Sequence, residues 1–232
     1  NYTQKLSVLR RAGVVSEDHA ALQLRETHLA GVHYSQADYF CDSSNKLSHL
    51  IKSLRIILPD GRFIHLVRDG RRVISSYYAK LSQESYVDFW VAAIDKHLHK
   101  PRIFLSPPPL KPCFWPCPNP VMEHKVYHNF IYEWNRWQRL CWFWQDCNRV
   151  ILRDLEGVTD DQKHFVRLED LTDEGSGIIV LNRLLTGFLE LPFKDEAWEL
   201  CQTPQNVSEP VSYPLTEEQE QQYWDICGEM HE

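Results

Sequence analysis

The stretch FIHLVRDGRRVISSYY, residues 63–78, decides how the chain is read. Arg62-Phe63-Ile64-His65-Leu66-Val67 is a short apolar run bounded by turn residues, which reads as a buried strand. Arg68-Asp69-Gly70 ends it, and a helix resumes from Arg71 to about Leu81. On the other side, Pro59-Asp60-Gly61 is a turn. Before it, Leu47, Leu50, Ile51, Leu54 and Leu58 give a helical apolar face to Lys46–Leu58, with Asp42-Ser43-Ser44-Asn45 offering N-caps. Helix, turn, strand, turn, helix is the order of an α/β fold with a central parallel sheet flanked by helices. Such a strand delivers Arg68 to its carboxyl end, where open α/β sheets gather ligands. Ser75 and Ser76 follow on the early turns of the helix. An arginine fork beside a serine hydroxyl suits a phosphate monoester.

Outward from this centre, residues 3–30 carry Leu6, Leu9, Val14, Ala20, Leu22 and Leu24, a pattern of one or two short helices, and His33 to Ser44 reads as irregular. Eight of the thirteen prolines fall in Pro101–Pro120, which excludes a helix interior or central strand and predicts a long loop. From Met122 to about Leu155, Tyr127, Phe130, Ile131, Trp134, Trp137, Cys141 and Trp144 recur at helical spacing, an aromatic stripe that belongs in a core. His164–Leu168 predicts a second strand and Ile178–Leu189 another amphipathic helix, with loop over 201–214. Thr216 and Gln219 form a capping box for a last helix. Without repeats, residues 1–232 read as a single domain with a proline-rich loop at 101–120.

Composition sets the bounds. With 43% hydrophobic and 25% charged residues the 232-residue chain is globular. A net charge of −7 argues against a nucleic-acid coat or a membrane-surface binder, so any anion site is local. Seven scattered cysteines, three of them (Cys141, Cys147, Cys227) in helical apolar context, point to buried thiols and a reducing, cytoplasmic setting.

The central segment resembles the 3′-phosphate-binding motif of sulfotransferases that use 3′-phosphoadenosine 5′-phosphosulfate (PAPS). There a strand runs into Arg-Asp-Pro, and a Ser lies eight positions after the Arg, followed by Tyr. Arg68 and Ser76 have that spacing, then Tyr77-Tyr78, with Gly70 in place of Pro. LRIILPDGRFIHLVRDG matches the approach to the motif, and VRLEDLT at 166–172 is similar to the family's Tyr-Glu-Asp-Leu strand end, with Leu168 for Tyr. EWNRW, CWFWQDCNRVI, GFLELPF and PLTEEQEQQYWDICGEM continue the likeness toward bacterial-type members, over roughly residues 40–100 and 123–230. The resemblance implies a P-loop-like nucleotide-binding fold, PAPS as co-substrate held by Arg68 and Ser76, no metal, and a small-molecule or carrier-tethered acceptor with a hydroxyl or amine.

Family members also carry a glycine-containing loop for the 5′-phosphosulfate. Gly13 and Gly31, each isolated, are the only glycines before residue 60, so that loop is not visible. The expectation is that it precedes Asn1 and that residues 1–232 alone are inactive. Sulfuryl transfer needs a base and positive charge on the developing bridging oxygen, and Glu26, His28, His33, Asp42 and Lys46 are the catalytic candidates ahead of Arg68. His65 reads as a core histidine with its hydrogen bonds satisfied. Phe114 and Trp115 of the proline loop are candidate acceptor contacts. Cys113, Cys117, His124 and His128 carry zinc-type ligand chemistry, but the six residues between the pairs are fewer than a finger requires. Two rival readings stay open, a catalytically dead nucleotide-binding scaffold or sensor and a nucleotide kinase, the latter disfavoured by the absence of GxxxxGK[ST].

Overall fold

The computed structural model describes residues 2–11, 13–44, 47–80, 125–203 and 215–230. Helix α1 (Tyr2–Arg11) and helix α2 (Glu17–Leu24) open the chain. Ser16 caps α2 by accepting the His19 N–H at 3.2 Å. A π-helical turn, Arg25–Leu29, leads into α3 (Ala30–Ser35), so the irregular stretch expected from His33 begins only after Ser35. Helix α4 (Ile51–Ile57) is shorter than the Lys46–Leu58 expected. Asp42 is spent on a local turn, accepting the Ser44 N–H at 2.7 Å, and Leu47–Leu50 forms a separate turn before the helix. Leu6, Ala20, Ala21, Leu24, Leu47, Leu50, Leu54 and Ile57 join α1, α2 and α4 in one apolar cluster.

Strand β1 (Phe63–Val67) pairs in parallel with β2 (Lys163–Arg167), in a register running from Phe63 opposite Lys163 to Val67 opposite Arg167. This is the parallel sheet, small among the described residues and set in a mostly helical chain. β1 is less enclosed than its sequence suggests: His65 is buried, but Ile64 and Leu66 on the opposite face are exposed. The His65 Nε2 meets Asn148 Oδ1 at 2.9 Å, while Nδ1 has no partner, so the core placement holds and the full pairing does not. Burial lowers the His65 pKa and keeps the ring neutral.

Helix α5 (Gly70–Lys80) follows β1 and packs on α6 (Arg136–Leu155). The aromatic stripe reads as one helix from 122 to 155, but a π-helical turn, Asn129–Glu133, and an extended Trp134 interrupt it. Asn135 and Gln138 form a capping box that starts α6 afresh. The buried Arg139 serves the carbonyls left at that break, with Nε 2.7 Å from Phe130 O. The stripe itself is core, as expected: Phe130, Ile131, Trp137, Cys141 and Trp144 are buried with Ile74 of α5 and Tyr223 and Cys227 of α10 (Glu217–Cys227). The Thr216–Gln219 capping box starts α10.

After β2, α7 (Leu168–Leu171), α8 (Gly177–Asn182), a π-helical segment Arg183–Phe188 and α9 (Asp195–Gln202) pack around Val166, Leu171, Leu181, Leu184 and Phe188. No described helix is long and apolar enough to cross a membrane.

Candidate functional site

Parallel pairing brings the carboxyl ends of β1 and β2 side by side, so Arg68-Asp69 and Leu168-Glu169 emerge together. Asp69 organises this end. Its Oδ1 accepts the Arg71 N–H at 2.9 Å, capping α5, and its Oδ2 takes the Arg71 Nη2 at 2.9 Å. Its carbonyl accepts the N–H groups of Arg72 and Val73, each at 3.1 Å. Burial works against charge on Asp69, but the Arg71 hydrogen bonds outweigh it and hold the carboxyl below its ordinary value. The Asp69 N–H is donated across the sheet to Glu169 Oε1 at 3.0 Å.

Gly70 explains the departure from the proline pattern. A Cβ there would lie 2.6 Å from the Tyr223 hydroxyl and 2.9 Å from the Trp144 ring. Proline carries a Cβ as any other side chain does, so α5 starts this close to α6 and α10 only with glycine. Burial raises the Tyr223 pKa, and the phenol stays protonated.

Arg68 is exposed and makes no ion pair with a described residue. Ser76 is half-buried on α5, six residues beyond Gly70, or ~9 Å along the helix axis. Between them, the Asp69 carboxylate and carbonyl take the Arg71, Arg72 and Val73 N–H groups at the amino end of α5. Arg72 adds a cation that sequence reasoning passed over. It lies four residues before Ser76 and is exposed, on the same helix face, while neighbouring Arg71 is tied to Asp69 and stands 3.6 Å from Glu220. The i,i+4 spacing of Arg72 and Ser76 was the available signal.

The structure joins two of the five catalytic candidates. His28, in the π-helical turn, places Nε2 3.6 Å from Asp42 Oδ2, within ion-pair range though longer than a hydrogen bond. The His28 ring also meets Phe40 edge-on at 6.0 Å, and its side chain is 12% exposed. Asp42 is held from the other side by the Ser44 N–H. A π-turn re-aims side chains within a helix and recurs at functional sites. Glu26 and His33 are exposed. Lys46, Phe114, Trp115, the proline loop and the Cys113/Cys117/His124 set lie outside the described residues. His128 of that set is exposed, 3.4 Å from Glu133. Among the described residues no group of His, Cys, Asp and Glu forms a metal site.

Residues 10–102, less than half of the chain, match the model of the Sulfotransferase family. The match takes in Arg68, Ser76, His28 and Asp42, and ends before Glu169. Searches of the curated proteins and of the solved structures found no match.

Proposed function

Taking the chain as a sulfotransferase-family member over residues 10–102, we propose that it moves a sulfuryl group from PAPS to an acceptor hydroxyl or amine. One observation carries the donor assignment: inside the matched span, an exposed Arg68 directly follows β1, with Ser76 eight positions on. Arg68, Ser76 and Arg72 fit a doubly charged 3′-phosphate, the group that separates this nucleotide from ordinary adenylates. The co-substrate supplies an activated sulfuryl group. The protein's part is to hold it by its phosphates and to take a proton from the acceptor.

His28 is assigned that proton. With Nε2 turned to Asp42, Nδ1 is the ring nitrogen left to accept, and Asp42 stabilises the imidazolium as it forms. As the acceptor oxygen bonds to sulfur, its proton passes to His28, the bond from sulfur to the 5′-phosphate oxygen breaks, and 3′-phosphoadenosine 5′-phosphate departs with that electron pair. Phe114 and Trp115 are assigned to an apolar part of the acceptor, and residues 1–232 to one domain.

Labelled-sulfate transfer from PAPS to a panel of hydroxyl and amine acceptors, by protein that includes any segment ahead of Asn1, tests the reading. Transfer that falls by about 10²–10⁴ in His28→Asn supports it. Nucleotide binding without transfer to any acceptor would instead favour a catalytically inert nucleotide-binding relative.

A further inference from the structure

We infer that Glu169 is a positioning residue for the anion-binding turn, acting on Arg68 through the Asp69 backbone. The inference rests on the donor reading above. Glu169 arrives from 100 residues away in the chain, at the first turn of α7, and accepts the Asp69 N–H at 3.0 Å. The carboxylate of Asp69 is held by Arg71 and its carbonyl by Arg72 and Val73, all within its own turn and helix. Its N–H is the group held from outside. That N–H belongs to the peptide plane joining Arg68 to Asp69, so the bond to Glu169 sets the plane from which the Arg68 side chain departs.

The second oxygen of Glu169 supports this assignment. Oε2 is buried and has no hydrogen-bond partner, so it is shielded from a ligand as well as from water. The side chain therefore works through Oε1 alone. A carboxylate half-shielded and spending its one bond on a backbone N–H acts as a brace, and a braced arginine loses less freedom when it closes on a phosphate.

The test measures binding of 3′-phosphoadenosine 5′-phosphate and of adenosine 5′-phosphate to wild type, Glu169→Ala and Glu169→Gln. Glutamine keeps an acceptor at the Oε1 position and alanine does not. Glu169→Ala should bind the bisphosphate about tenfold more weakly and the monophosphate within about twofold of wild type, while Glu169→Gln stays close to wild type for both. Amide exchange at Asp69, followed without nucleotide, should speed up in the alanine variant and stay protected in the glutamine variant. Equal weakening of both nucleotides, unchanged binding in Glu169→Ala, or a glutamine variant as weak as alanine overturns the positioning role and leaves the donor reading standing. A wild-type protein that does not prefer the bisphosphate overturns both.

Discussion

The Cα of Gly70 lies so close to Tyr223 that a methyl group there would come within 2.6 Å of the phenolic oxygen. The start of α5, and with it the position of Ser76, is set by contact with α6 and α10 as much as by the turn after β1. The carboxyl end of β1 thus rests on the aromatic core.

Gly70→Ala tests that dependence. The Trp144 ring is buried and cannot swing clear, so the variant should lose about 1–3 kcal/mol in urea denaturation. Gly70→Pro should do no better, because it adds the same Cβ.

Arg68, Arg71 and Arg72 should separate in their effects. Arg68→Ala should weaken binding of 3′-phosphoadenosine 5′-phosphate by roughly ten- to a hundredfold, as expected for a charge-assisted pair of about 1.5–3 kcal/mol. Arg72→Ala should weaken it by a smaller factor, while Arg71→Ala should mainly loosen the Asp69 cap and lower the melting temperature. Calorimetry and thermal unfolding on the three variants distinguish these outcomes.

Acid should destabilise the protein through His49. Burial, then the Arg11 guanidinium, push its pKa down from 6.5 to about 4, against the raising effect of Asp146. Arg11 Nη1 lies 3.3 Å from His49 Nε2 and also pairs with Asp146; the Cys147 Sγ lies 4.0 Å from the same nitrogen, and the Arg153 charge adds to the lowering. Between about pH 6.5 and 4 the unfolded chain binds a proton that the folded one refuses. Stability therefore falls as the pH drops through that window, by on the order of 3 kcal/mol. His49→Gln should flatten the curve there. Below it, Asp146 adds a second loss: burial opposes its charge, but Arg11 holds its pKa down, so stability goes as the pH falls through that lowered value.

Asn135→Ala should cost about 0.5–2 kcal/mol by removing the cap of α6, a small change on the surface with a long helix behind it. Equilibrium denaturation reads it directly.

The sequence made β1, α5 and their joint legible because each signal there is local: an apolar run, a turn triplet and an Arg-to-Ser spacing. The α10 cap was equally legible, since Thr216 and Gln219 carry it within one turn. The break at Trp134 was not, because seven apolar residues at helical spacing outweighed the Asn135–Gln138 pair buried among them. His28 and Asp42 were both singled out, yet their pairing depends on a π-turn and a non-helical stretch that no periodicity encodes. Glu169 meets Asp69 only through parallel strand pairing, and Arg72 was overlooked beside the more conspicuous Arg68.

The central claim is that this sheet end recognises a 3′-phosphate through Arg68 and Ser76. Isothermal titration of 3′-phosphoadenosine 5′-phosphate against adenosine 5′-phosphate tests it most directly. The account expects the bisphosphate to bind at least about tenfold more tightly, with Arg68→Ala erasing most of that preference. Equal affinity for the two nucleotides, or a preference that survives in Arg68→Ala, would contradict it.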